Sequence, residues 1–183
     1  MNVTERTIQV IRNRIRAVPD HPGPGVVFRD ITPLMEDGPS LHAAVDALAE
    51  ATKDLDYDRV ISAEARGFVF GTALAYRSRK GLVLARKPGK LPREVISVSY
   101  ELEYGTDSLE IHADSIPPGA RVLVADDLLA TGGTARAMCE LVEKSGGSVA
   151  GCAFLIELAF LEGRKRLSDY NVVSLINYSA PSA

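Results

Sequence analysis

An α/β fold, built on a central mostly parallel sheet flanked by helices, is the class that this amino-acid sequence predicts. Three observations carry the prediction. Short apolar runs such as Val60-Ile61, Leu82-Val83-Leu84 and Val122-Leu123-Val124-Ala125 read as strands without polar alternation. Stretches of helical periodicity separate them, and Gly and Pro punctuate the joins. Strands that are apolar on both faces belong to parallel sheets covered on both sides. In such sheets ligands bind beyond the carboxyl ends of the strands, so functional residues are sought there.

Composition narrows the class. The 183 residues suit one domain with a full core, residues 1–183. No apolar run approaches the ~20 residues of a membrane-spanning helix. The arginine-sprinkled N-terminus has no apolar run of the kind a secretory signal needs. A formal net charge of −3 steers the protein toward neither nucleic acid nor anionic lipid. Any polyanion must therefore be held by a local basic cluster or by oriented amides. Cys139 and Cys152 lack CxxC spacing and read as small buried hydrophobes of a reducing cytoplasm.

The spacing of Ile8, Ile11, Ile15 and Val18 predicts a helix over about residues 4–18. Pro19, Pro22 and Pro24 end it and open an irregular stretch over 21–38. A second helix follows over 40–55, with Ser40 as its N-cap. Strands are then expected at Val60-Ile61, 82–84, 121–125, 149–156 and 172–176, and helices over 68–79 and 134–145. Residues 96–111 alternate in part and carry Glu-Tyr-Gly in their middle, which suggests a projecting hairpin or mobile loop.

The strongest motif is Arg121-Val-Leu-Val-Ala-Asp126-Asp127-Leu-Leu-Ala130-Thr131-Gly132-Gly133-Thr134. Asp126 and Asp127 close an apolar strand, and a Gly/Thr loop runs from there into a helix. Glycines let successive backbone N–H groups converge on an anion, and a helix N-terminus adds favourable partial charge. Ala130, Thr131, Gly132, Gly133 and Thr134 thus read as a phosphate cradle. Two carboxylates beside it would repel a bare phosphate. A ribose phosphate resolves the conflict, since its hydroxyls can donate to Asp126 and Asp127. Neither GxGxxG nor GxxxxGK[ST] is present, which excludes the dinucleotide-binding and P-loop readings.

This string closely resembles the motif by which type I phosphoribosyltransferases bind phosphoribosyl pyrophosphate (PRPP). Gly25-Val-Val-Phe-Arg-Asp-Ile-Thr32, Glu64-Ala-Arg-Gly-Phe68, Arg86-Lys-Pro-Gly-Lys-Leu-Pro92 and Glu101-Leu-Glu-Tyr-Gly105 resemble, in order, the adenine-specific members of that family. The resemblance implies the type I fold, with a small N-terminal hood contributed mainly by about residues 19–38 and a mobile catalytic loop. It implies that Phe28 stacks on adenine while backbone groups of Val27 and Arg29 read its edge, with Leu158 covering the opposite face. Arg66 and the amides around it would hold pyrophosphate, in a loop that carries a non-proline cis peptide near Ala65. Arg86, Lys87, Lys90 and Arg93 form the densest basic cluster, and the resemblance directs it to pyrophosphate, with Arg86 acting across a homodimer interface.

By the same resemblance, Glu103 serves as general acid/base for adenine and Tyr104 closes over the reaction centre. The implied reaction is Mg²⁺-dependent transfer of phosphoribosyl from PRPP to adenine, giving AMP and pyrophosphate. Mg²⁺ is expected through PRPP and water, with no direct protein ligand. His21, His42 and His112 fit no metal or triad spacing and read as surface or structural. Two alternatives remain open on the sequence: a sister enzyme for another purine or a pyrimidine, and a PRPP-sensing regulator without catalysis.

Overall fold

The computed structural model describes residues 4–101 and 106–181. Its centre is a five-stranded sheet of β3 (Arg59–Ala63), β4 (Gly81–Ala85), β7 (Arg121–Leu129), β8 (Ser148–Leu158) and β9 (Val172–Tyr178), in the order β4-β3-β7-β8-β9. Every pairing in it is parallel. Neighbouring residues on one strand therefore feed opposite faces. Val60 and Leu123 pack into a core with α1 (Glu5–Arg12), α3 (Gly38–Ala51) and α4 (Gly67–Ser78). Ile61 and Val124 pack on the other face against α5 (Gly133–Lys144) and a hairpin. That hairpin pairs β5 (Val95–Glu101) with β6 (Thr106–His112), as the alternation over 96–111 predicts. Among the described residues no helix is long and apolar enough to cross a membrane. Cys139 and Cys152 are buried, and their Sγ atoms lie 3.8 Å apart between α5 and β8.

The N-terminal third departs from the sequence expectation. The first helix stops at Arg12 rather than continuing to residue 18. Residues Arg16–Pro19 instead form β1, which pairs antiparallel with β2 (Val27–Asp30), Val18 opposite Phe28. Ile15 and Val18 fit a helical period, but the partner strand captures them. The stretch 21–38 is thus not irregular: it holds β2 and a short α2 (Thr32–Glu36) with Pro33 in its first turn. The N-cap of α3 is Asp37, whose carboxylate accepts the Ser40 N–H at 3.0 Å, and the helix ends at Ala51 rather than residue 55. Thr52 closes that end by donating its hydroxyl to the Leu48 carbonyl.

Strand β7 also outruns its expected end at residue 125, continuing through Asp126 and Asp127 to Leu129. It does so because β8 pairs with it to the end, Asp126 opposite Phe154 and Leu129 opposite Glu157. Helix α4 crosses this sheet unusually closely. A Cβ on Gly71 would lie 2.4 Å from the Ser62 Cβ, and Ser62 is itself held by donating its hydroxyl to the Ala125 carbonyl at 2.6 Å. Neither partner can give way. Gly71→Ala is therefore expected to lower unfolding free energy by about 1–3 kcal/mol, the usual cost of overpacking. Urea denaturation reads this as a reduced midpoint at unchanged slope.

Candidate active site

The cleft lies at the carboxyl ends of β3 and β7, where two helices begin. Helix α4 starts at Gly67 directly after the turn 64–66, and α5 starts at Gly133 directly after the loop 130–132. No side chain caps either N-terminus. Their first-turn amides are thus available to an anion, and both helix dipoles present positive ends. Residues 64–67 and 126–135 line a cleft of about 440 Å³ between them. Asp126, Asp127, Ala130, Thr131, Gly132, Gly133, Thr134 and Arg66 are brought together there, as the motif suggested. Glu64, Ala65, Gly67, Leu128, Leu129 and Ala135 join them in the lining.

Glycine makes this convergence possible. A Cβ on Gly67 would fall 2.3 Å from Asp126 Oδ1, so only a glycine lets α4 begin against the strand end. Gly132 adopts φ of 83°, the left-handed region that a side chain strains. The Glu64–Ala65 peptide is cis, at the place the family resemblance implies.

The acidic pair is electrostatically unequal. Asp126 is 9% exposed and Asp127 6%. Burial, and then the neighbouring Asp127 charge, push the Asp126 carboxyl well above the usual carboxylate range. Asp126 Oδ1 accepts the Asp127 N–H at 2.9 Å. Asp127 has a cation instead, with Arg66 Nε at 3.0 Å from its Oδ2. The same guanidinium lies over the Phe28 ring, 5.0 Å from its centroid, and so links strand β2 to the sheet. His21 meets Phe28 edge-on at 5.1 Å.

Other expected residues stand around the cleft rather than in its lining. The Arg29 side chain is buried and turned away, 3.9 Å from the Tyr178 ring centroid and donating to the Pro181 carbonyl at 2.9 Å. Leu158 ends β8, half-buried, opposite Tyr178. Glu64 gathers the basic cluster: its Oε2 lies 3.1 Å from Lys90 Nζ and 3.4 Å from an Arg86 nitrogen, and its Oε1 accepts the Lys87 N–H. Burial alone would raise the Glu64 carboxyl, but the Lys87 N–H and these cations hold it below its ordinary value. Lys87 pairs with Asp107 and reaches the Tyr100 hydroxyl at 3.4 Å, and Arg93 points away to Asp114. Tyr100 and Asp107 are register partners in the hairpin, and Lys87 meets both.

Tyr100 and Asp107 were not legible as site neighbours from the motifs. Alternation along the hairpin is the signal that places Tyr100 and Asp107 on one face. Glu103 and Tyr104 lie outside the described residues. Among the described residues no group of three or more His, Cys, Asp or Glu can hold a metal.

Comparison with known proteins places the chain in a family. A family model described as a phosphoribosyl transferase domain matches residues 35–182. An adenine phosphoribosyltransferase of Rubrobacter xylanophilus is 90% identical over 100% of both chains. This chain belongs to the adenine phosphoribosyltransferases. Another relative of that name, from Pseudothermotoga lettingae, is 51% identical over 92% of this chain and 99% of its own. The family's solved structures share the fold. The enzyme from Thermoanaerobacter pseudethanolicus superposes with a TM-score of 0.92 at 50% identity, covering 93% of this chain and 99% of that one. The Saccharomyces cerevisiae enzyme, solved with adenine and an imino-altritol bisphosphate, gives 0.88 at 36% identity, covering 94% and 99%.

The raised Asp126 carboxyl makes a pH-dependent prediction. A carboxyl whose folded pKa exceeds its unfolded value loses native stability as pH rises through the folded pKa. Asp126→Asn removes that loss. Its Tm is expected to match wild type near pH 4 and to exceed it at pH 8 by about 2–4 °C per kcal/mol recovered. Thermal scans at a series of pH values check this, and a uniformly lowered Tm contradicts it.

Proposed function

We propose that this chain transfers the phosphoribosyl group of PRPP to adenine, giving AMP and pyrophosphate, as an enzyme of purine salvage. One observation carries the reading at the level of geometry: two uncapped helix N-termini line one cleft together with the Asp126–Asp127 pair. That combination suits a ligand with anionic groups and sugar hydroxyls together. The names of the relatives at 90% and 51% identity support adenine over other bases, and catalysis over a PRPP-sensing regulator.

In this reading, residues 1–183 act as one unit and about 19–38 form the hood. The amides and hydroxyls of Ala130, Thr131, Gly132, Gly133 and Thr134 hold the 5′-phosphate. Asp126 and Asp127 accept hydrogen bonds from the ribose hydroxyls. Donors at Asp126 favour its ionised form, which also suits positive charge developing at C1′. Arg66 exchanges Asp127 for pyrophosphate, assisted by Lys87 and Lys90 and by Arg86 across a homodimer interface. Phe28 stacks on adenine, an interaction worth about 1–3 kcal/mol for a base on an aromatic ring. Backbone groups of Val27 and Arg29 read the base edge, and Leu158 covers its other face.

The bond from C1′ to pyrophosphate breaks first, its electron pair leaving with pyrophosphate. The base nitrogen then bonds C1′ from the opposite face, inverting it, and Glu103 takes the proton the base loses. Tyr104 closes over the centre and excludes water, which would otherwise attack C1′. The donor set fits Mg²⁺ held through the diphosphate and water, because that ion keeps several waters and needs only one or two nearby carboxylates. Asp126 and Asp127 are the carboxylates in place, and the ion when bound offsets charge on the leaving group. The cell compartment of this chemistry is the cytoplasm.

Purified protein given PRPP, Mg²⁺ and a panel of bases is expected to form AMP from adenine and little nucleotide from hypoxanthine, guanine, xanthine or pyrimidines. Chromatography of the products reads the outcome, and a preference for another base overturns the assignment. Glu103→Ala is expected to lower kcat by about 10²-fold if the residue manages the proton. An unchanged rate in single-turnover measurements would remove that role.

A further inference from the structure

Behind the loop 130–132, on the side away from the cleft, the chain makes a contact that the reaction itself does not use. After β8 it forms a short 3₁₀ turn, Ala159–Leu161, then reverses at Glu162 in the left-handed region with φ of 55° and continues into a second, Gly163–Leu167. The reversal pushes Gly163 against the loop. A Cβ on Gly163 would lie 2.1 Å from the Ala130 carbonyl oxygen and 2.9 Å from the Gly132 nitrogen. The contact is reciprocal, since a Cβ on Gly132 would lie 2.5 Å from the Gly163 carbonyl oxygen. Gly163 is not in a left-handed conformation, so the requirement at that position is space rather than backbone freedom.

The next residue anchors this backstop. Arg164 makes a two-pronged contact with Glu157, Nε to Oε1 at 2.9 Å and a terminal nitrogen to Oε2 at 2.5 Å. Its other contacts reach β9, at the Val172 carbonyl and the Ser174 hydroxyl, both at 2.9 Å. Ser174 also donates to Glu157. Glu157 is only 4% exposed, and it sits opposite Leu129, the last strand residue before the loop. The Arg164 guanidinium holds the Glu157 carboxyl below its ordinary range, so the pair is ionised at neutral pH. Forked pairs of this kind fix orientation as well as adding energy.

We propose that Glu157 and Arg164 are positioning residues for the phosphate loop, acting through the backbone of Gly163. The inference rests on reading residues 130–134 as the 5′-phosphate site. The pair clamps the turn to β8 and β9, and the turn in turn sets how far Ala130 and Gly132 can retreat from the cleft. The loop amides are therefore held in place before the phosphate arrives, from behind by Gly163 and from the side by the Leu129–Glu157 register. Neither Glu157 nor Arg164 lines the cleft.

A purely structural role would change Tm and leave ligand discrimination alone, whereas a positioning role separates the two substrates. Wild type, Arg164→Lys, Glu157→Gln and Gly163→Ala are compared by steady-state kinetics and by calorimetric binding of ribose 5-phosphate. Arg164→Lys keeps the charge and loses the fork. It is expected to raise KM for PRPP and the ribose 5-phosphate Kd by about 10- to 100-fold, the cost typical of removing an outer partner that orients a metal ligand. KM for adenine is expected to stay within about 2-fold, a change of under half a kcal/mol. Gly163→Ala is expected to do the same. If that variant does not fold, Arg164→Lys and Glu157→Gln carry the test. Unchanged ribose 5-phosphate binding in folded variants overturns the positioning role, and so does an equal loss for both substrates. Failure of wild type to bind ribose 5-phosphate would instead overturn the phosphate-loop reading itself.

Discussion

Close approach of the backbone at glycines, where no Cβ intervenes, is the constraint on which the site depends. Gly71 lets α4 lie on Ser62, and Gly67 lets the same helix begin within reach of Asp126 Oδ1. On the other side, Gly132 and Gly163 press the loop before α5 against the turn after β8. The first two contacts seat the helix backbone on side chains of the sheet, and the last brings main-chain carbonyls and an amide nitrogen closer than side chains would permit. The consequence is a cleft defined by main-chain groups on rigid elements, whose positions rotamer changes cannot alter. That is the arrangement needed to hold a flexible, highly charged substrate in one reactive geometry.

Charge inside this frame is balanced within the chain. Arg66 answers Asp127, Lys87 answers Asp107, and Glu64 is shared by Lys90 and Arg86. Asp126 has no such cation within contact distance among the described residues, and burial keeps its carboxyl toward the neutral form. Any polyanion entering the cleft would therefore compete for cations that already have partners. The Lys87–Asp107 pair lies at the stem of the β5–β6 hairpin, and the Tyr100 hydroxyl there comes within 3.5 Å of the Thr134 hydroxyl. The stem of the β5–β6 hairpin and the loop leading into α5 thus share a network.

Much of this was legible in the sequence, for identifiable reasons. Unbroken apolar runs announced the parallel sheet because a strand buried on both faces has nowhere to put polar residues. The Asp-Asp-loop-helix string announced the cleft because its residue types serve few other purposes together. The N-terminus misled because Ile15 and Val18 satisfy a helical period and a strand partner equally, and only the distant pairing with Val27–Asp30 decides between them. Strand β7 ran past its expected end because polar Asp126 and Asp127 looked like a terminus, while the register with β8 continued. Gly163 gave no signal at all, since its role appears only when the turn after β8 folds back on the loop.

The central claim is that main-chain amides of residues 130–134 grip a sugar phosphate while Asp126 and Asp127 grip the sugar. A crystal structure with AMP tests it most directly. The account predicts the phosphoryl group within hydrogen-bond distance of those amides and the ribose hydroxyls on the two carboxylates. A phosphoryl group bound elsewhere, at Lys87 and Lys90 for example, with Asp127 still paired to Arg66, would contradict it.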